Sequence, residues 1–165
     1  MTKIDFEYSI VKWITKFIEY DNELTLIEIF RNENISKIAH PILNQMQQAQ
    51  LCDFKCDFIV LIEHVHYGRQ LVFINRFTRS IGLTDIGEML IYSQLAKPLY
   101  AFLVSNKGHS KEINSMLVND EISSRLFGYD SDKSIILFAL REAVSRESVL
   151  PLYMRDWFYE KIGNT

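Results

Sequence analysis

Turn-forming residues are scarce in this chain. Its 165 residues include only six glycines and three prolines, which excludes a linker rich in Pro, Gly or Ser. Cysteine is scarcer still, and two of them, Cys52 and Cys56, do not make a disulfide framework. No run approaches the roughly 20 apolar residues of a membrane span. The opening MTKIDFEYSIVKW lacks the apolar block of a signal peptide. The expectation is a cytoplasmic protein with no membrane partner. An excess of positive charge is also missing: 18 Lys and Arg stand against 21 Asp and Glu, for a net charge of −3. Whole-protein electrostatics therefore do not advertise a polyanion partner, and any basic patch must be local. There is no nucleophilic serine elbow, no P-loop and no dinucleotide glycine pattern.

What is abundant is core material. Hydrophobic residues make up 48% of the chain, and the aromatics are 11 Phe, 8 Tyr and 2 Trp. A chain of this length buries roughly 70% of its unfolded surface, so one domain over 1–165 is expected. Residues 4–20 carry Ile10, Val11, Ile14, Phe17 and Ile18 at helical spacing. LTLIEIF (24–30) reads as a strand, and a helix is expected between Ser36 and Leu51, starting as late as Pro41. CDFIVLIEHVH and RQLVFINRF flank Tyr67-Gly68-Arg69 as a hairpin, because the connection is too short for a crossover. Thr84 is the expected N-cap of a helix to Lys97, with Asp85 at its positive end. LYAFLVS (99–105) is the apolar run of a strand buried on both faces. Ser110 caps a further helix, SIILFAL (134–140) is a last strand or the start of a helix, and LYMRDWFYEKI is a short amphipathic helix. The fold class is α/β, equally describable as α+β, with a central mixed sheet of about four or five strands flanked by helices.

The order helix, strand, hairpin, helix, central strand, helix resembles the core of the PD-(D/E)XK nuclease superfamily, the restriction-endonuclease-like and Holliday-junction-resolvase-like enzymes. The segments that carry the resemblance are KCDFIVL, LVFINRF and LTDIGEMLIYSQLAKPLYAFLVS. It covers roughly residues 5–120, leaving 121–165 as a C-terminal helical extension. In that family two carboxylates hold Mg²⁺ with phosphate and water oxygens, and a lysine supports the attacking water. Here the resemblance puts Asp57 at the first acid, Asn75 at the second and Phe77 at the lysine, so the catalytic motif is degenerate. It implies a nuclease-like domain that binds DNA, RNA or another partner without efficient cleavage. An active Mg²⁺-dependent phosphodiesterase would need Glu88, on the following helix, as a migrated second acid beside Asp57, and Arg76 or Arg79 in place of the lysine charge. Arginine stays protonated and cannot readily serve as a base. The third reading is a protein-interaction or assembly subunit with no nucleic-acid role. Counting from a turn centred on Gly68 sets Asp57 opposite Arg79 or Ser80, about four residues or ~13 Å from Asn75.

Other groupings have plainer alternatives. Arg69, Arg76, Arg79, Lys97 and Lys107 could form a nucleic-acid rim with Tyr67, Phe77 and Tyr92, or be scattered surface charges. Cys52, Cys56, His64 and His66 suggest zinc, but Cys56 and His64 would be ~26 Å apart on one strand. NKGHS before a helix could hold an anion or be an ordinary cap. Met154, Trp157, Phe158 and Ile162, with Tyr153 nearby, form a helical stripe that packs on its own core or makes a homodimer contact.

Overall fold

The computed structural model describes residues 3–47, 53–117 and 119–162. Helix α1 (Lys3–Tyr20) leads into β1 (Leu24–Arg31). Strands β2 (Phe58–His64) and β3 (Gly68–Phe77) form the hairpin, followed by α2 (Leu83–Ala96) and β4 (Tyr100–Ser105). Then come α3 (Lys111–Met116), α4 (Asp120–Phe127), β5 (Gly128–Asp130), β6 (Lys133–Ala139) and α5 (Arg155–Ile162). The strands make one open mixed sheet in the order β1-β2-β3-β4-β6-β5. β1, β2 and β3 are antiparallel neighbours, β3, β4 and β6 run parallel, and β5 is antiparallel to β6.

The α/β class holds, but the sheet has six strands rather than four or five. SIILFAL is a strand, and β5 adds a three-residue strand just after α4, too short to show a period. The segment 121–165 thus brings two strands into the sheet besides its helices. Over 36–46 the helix expected after Ser36 gives way to two single 3₁₀ turns, Ile35–Lys37 and Leu43–Gln45; Gln47 is helical, and the remaining part, 48–51, lies outside the described residues, as does Cys52. The side chain of Asn34 accepts the Ser36 N–H at 3.1 Å, which closes a tight local turn in place of a helical one. Helix α2 starts two residues earlier than expected: its N-cap is Gly82, not Thr84.

Alternation along the strands builds two cores. Phe58, Val60, Val72, Ile74, Phe102, Val104, Ile136 and Phe138 face α1 and α5, where Phe6, Ile10, Trp13, Phe17 and Phe158 meet them. Ile59, Leu61, Leu71, Phe73, Ala101, Leu103 and Leu137 face the other layer, with Ile86 and Met89 of α2 and Phe127 of α4. In the C-terminal stripe Phe158 and Ile162 are buried in the first core, while Met154 and Trp157 stay half-buried. No helix among the described residues is long and apolar enough to cross a membrane.

Candidate functional site

The hairpin register decides the geometry around Asp57. Gly68, at φ +65°, pairs with His64, and Phe58 pairs with Ile74. The reversal is therefore centred on His66, two residues before Gly68, and each residue's partner moves by four. Asp57, just ahead of β2, lies opposite Asn75 and not Arg79 or Ser80.

Backbone and side chains lock the two together. The Asp57 N–H donates to Asn75 Oδ1 at 3.0 Å, and the Arg76 N–H donates to Asp57 Oδ2 at 2.8 Å. From the other side, the Asn32 N–H donates to the Asp57 carbonyl at 2.8 Å. Asn32 sits at φ 54°, a conformation that asparagine tolerates better than most residues. Asp57 is thus fixed between the end of β1 and the end of β3.

Arg76 points to the α1 layer, and its side chain is only 8% exposed. Its Nη1 is 3.2 Å from Glu7 Oε2 and its Nε is 3.8 Å from Asp57 Oδ1. The Nη1 contact lacks hydrogen-bond alignment, so charge rather than a directed bond holds it. One guanidinium thereby sits between two carboxylates, one from α1 and one just ahead of β2. Glu7 was not legible as part of this group, because on α1 it reads as one more polar position of an amphipathic helix.

On the α2 layer, Glu88 is exposed and its Oε1 accepts the Tyr92 hydroxyl at 2.6 Å. That bond, helped by burial, pushes the Tyr92 phenol up to about 12, so it remains a donor. Tyr92 also stacks on Phe54 at 4.3 Å between centroids. Burial raises the pKa of the Cys56 thiol, and the charges of Asp57 and Glu88 add to the rise. Both carboxylates are therefore within electrostatic reach of one buried, unreactive thiol. They do not converge further: among the described residues no three His, Cys, Asp or Glu side chains are gathered for a metal. Asp57, bonded to Arg76, and Glu88, bonded to Tyr92, with a neutral amide at Asn75, do not fit a Mg²⁺ site.

The basic residues divide. Arg69, beside the hairpin turn, lies near Glu63 at 3.8 Å and Gln45 at 3.3 Å. It is ~26 Å along β3 from Phe77, at ~3.3 Å per residue, and joins no rim with Arg79 or Lys107. Arg79 is 61% exposed, grips Asp85 through two bonds of 2.6 and 2.8 Å, and lies over the Phe77 ring at 4.9 Å. Lys107 is exposed in the loop after β4, where Ser105 ties that loop to the Arg79 carbonyl. Sequence reasoning missed Arg141, after β6, whose Nε donates to the Asn106 carbonyl at 3.2 Å. Arg79, Lys107 and Arg141 thus follow three neighbouring parallel strands at one end of the sheet. Ser110 occupies the N-cap of α3 without a side-chain capping bond. His64 is buried and His66 exposed, both beside Glu23 at 3.5 and 3.8 Å.

Asp85 makes a pH-dependent joint. Burial works against its charge, but the Arg79 bond, the Gly82 N–H at 2.9 Å and the Arg79 charge outweigh it and lower its pKa. A depressed carboxylate stabilises the fold above its unfolded value, about 3.9, and that share is lost as pH falls through the folded value below it. Urea unfolding should therefore show the Asp85→Asn penalty, about 1 kcal/mol at neutral pH with the exposed Arg79 discounted, vanishing in acid. A penalty unchanged down to acid pH would refute this account.

The fold and this cluster define an open α/β sheet with a carboxylate–amide–guanidinium group at the ends of β2 and β3. Comparison with protein-family models, with curated proteins and with solved structures returned no match.

Proposed function

We infer that the chain is a nuclease-like domain with a degraded metal site, which binds nucleic acid without efficiently cutting it. The observation that carries this reading is the Asp57–Asn75 pair. The register puts these side chains directly across the hairpin, where the resemblance expects two carboxylates. The second is an amide, the lysine position is Phe77, and the remaining carboxylate is taken up by the Arg76 N–H and guanidinium. The element order behind the resemblance, helix, strand, hairpin, helix, strand, is also the order that forms this sheet through β4. Backbone phosphates would meet Arg79, Lys107 and Arg141, while Arg76 is too buried for that role.

The test uses labelled single-stranded, double-stranded and branched DNA with Mg²⁺ or Mn²⁺ present, following binding and cleavage together. Salt-sensitive binding without cleavage is expected, weakened and with a shallower salt slope in Arg79→Ala and Arg141→Ala. Cleavage abolished by Asp57→Ala would overturn the reading in favour of an active nuclease. Neither binding nor cleavage would favour the protein-interaction subunit. The near-isosteric Asn75→Asp adds a second carboxylate, and Mg²⁺ should then raise the variant's Tm while leaving the wild type unmoved.

A further inference from the structure

The opposite end of the sheet carries a separate concavity. A cavity of about 850 Å³ opens where β4 and β6 begin, between the hairpin turn and α5. Its size is that of a pocket for a small organic ligand. Tyr67, Tyr100, Met154 and Trp157 supply its apolar walls. The Tyr100 and Trp157 rings are 5.7 Å apart and inclined at 42°, so they make a continuous aromatic wall. Tyr67 stands 68% exposed on the turn, with its ring inclined at 46° to that of His64 and 4.4 Å from it between centroids. Three aromatic side chains, Tyr67, Tyr100 and Trp157, thus line one cavity and offer it stacking surface.

The polar lining narrows the occupant. Gln70 gives its amide N–H to the Tyr67 carbonyl at 3.0 Å, which leaves its side-chain oxygen for a donor. Asp132 and Lys133 also line the cavity and form no ion pair among the described residues. A saturated hydrocarbon would leave these groups unmatched. A flat heteroaromatic ring satisfies both sets: its face stacks on the aromatic wall, and its edge offers donors to Asp132 and Gln70. Lys133 adds a cation for an anionic substituent.

We propose that this cavity binds a nucleobase-type ring, stacked on Trp157 and edged by Gln70 and Asp132. The site is ~16 Å along β4 from the strand's other end, at ~3.3 Å per residue, so it stands or falls independently of the Asp57 cluster. The two tryptophans make the test direct. Trp13 is buried in the core and Trp157 lines the cavity. Adenosine and adenosine monophosphate are titrated into the full chain while tryptophan emission is followed. Saturable quenching is expected, with the monophosphate binding more tightly. Trp157→Phe should retain Trp13 emission and lose the response, and Tyr67→Ala, a change at an exposed position, should weaken binding about tenfold. No saturable quenching, or quenching indifferent to Tyr67→Ala, overturns the proposal. So does a response to p-cresol with none to adenosine, which would mark the cavity as a socket for a partner protein's aromatic side chain.

Discussion

Arg76→Met is expected to lower stability by about 2–3 kcal/mol, at or below the low end of the range for breaking a buried ion pair. The long apolar stem is kept, so the loss comes from charge. Without the guanidinium, Glu7 and Asp57 are left as two carboxylates near an apolar layer with no cation between them, and Asp57 keeps only the backbone N–H of residue 76. The figure stays modest because both acids are partly exposed, at 24% and 30%. Urea is the right denaturant, because guanidinium salts would screen the effect. The midpoint should fall with the slope unchanged. Adding Glu7→Gln should recover part of the loss, and the four proteins close a double-mutant cycle with a coupling energy for the pair. A shift below about 0.5 kcal/mol would place Arg76 among ordinary surface charges and refute this description.

Phe102→Ala should cost more, about 4 kcal/mol. Phe102 lies in the central strand β4, fully buried, with rings of Trp13, Phe17, Phe138 and Phe158 between 5.1 and 6.1 Å away. Truncation removes the transfer energy of a phenyl group and leaves a void that four rigid rings cannot easily fill. The T-shaped contact with Trp13 also disappears, worth about 1 kcal/mol beyond area. Thermal unfolding reads the loss. The near-UV dichroism of Trp13 should weaken in the same variant, since its asymmetric surroundings relax. Phe102→Leu should cost clearly less, roughly 1–2 kcal/mol.

The strands that carry long apolar runs were readable from sequence because a sheet buried on both faces needs Leu71–Ile74 and Ala101–Val104 to be apolar without a break. The hairpin itself was also readable, but not its register. Gly68 looked like the middle of the turn, whereas its positive φ serves the first residue of β3, opposite His64. That two-residue displacement doubles across the ladder, so the distance between Asp57 and Asn75 was misjudged by four residues. The approach of Glu7 to Arg76 had no local signal at all, because it joins the first helix to the third strand. Arg141 was overlooked for a similar reason: only the pairing of β6 with β4 brings it beside Asn106.

The two borders of the sheet have a consequence for self-association. An outermost strand exposes a row of unpaired amides and carbonyls, which another chain can use as a template. On one border β5 is three residues long and offers few such groups. On the other, β1 is eight residues long, but its ladder with β2 shifts register between Leu26 and Glu28. That irregularity twists the strand and interrupts the row near its middle. Glu28 and Arg31 then place charge on the same border, with Glu28 held 3.1 Å from His40. Both borders of the sheet therefore offer a second copy only a short or interrupted template for extension.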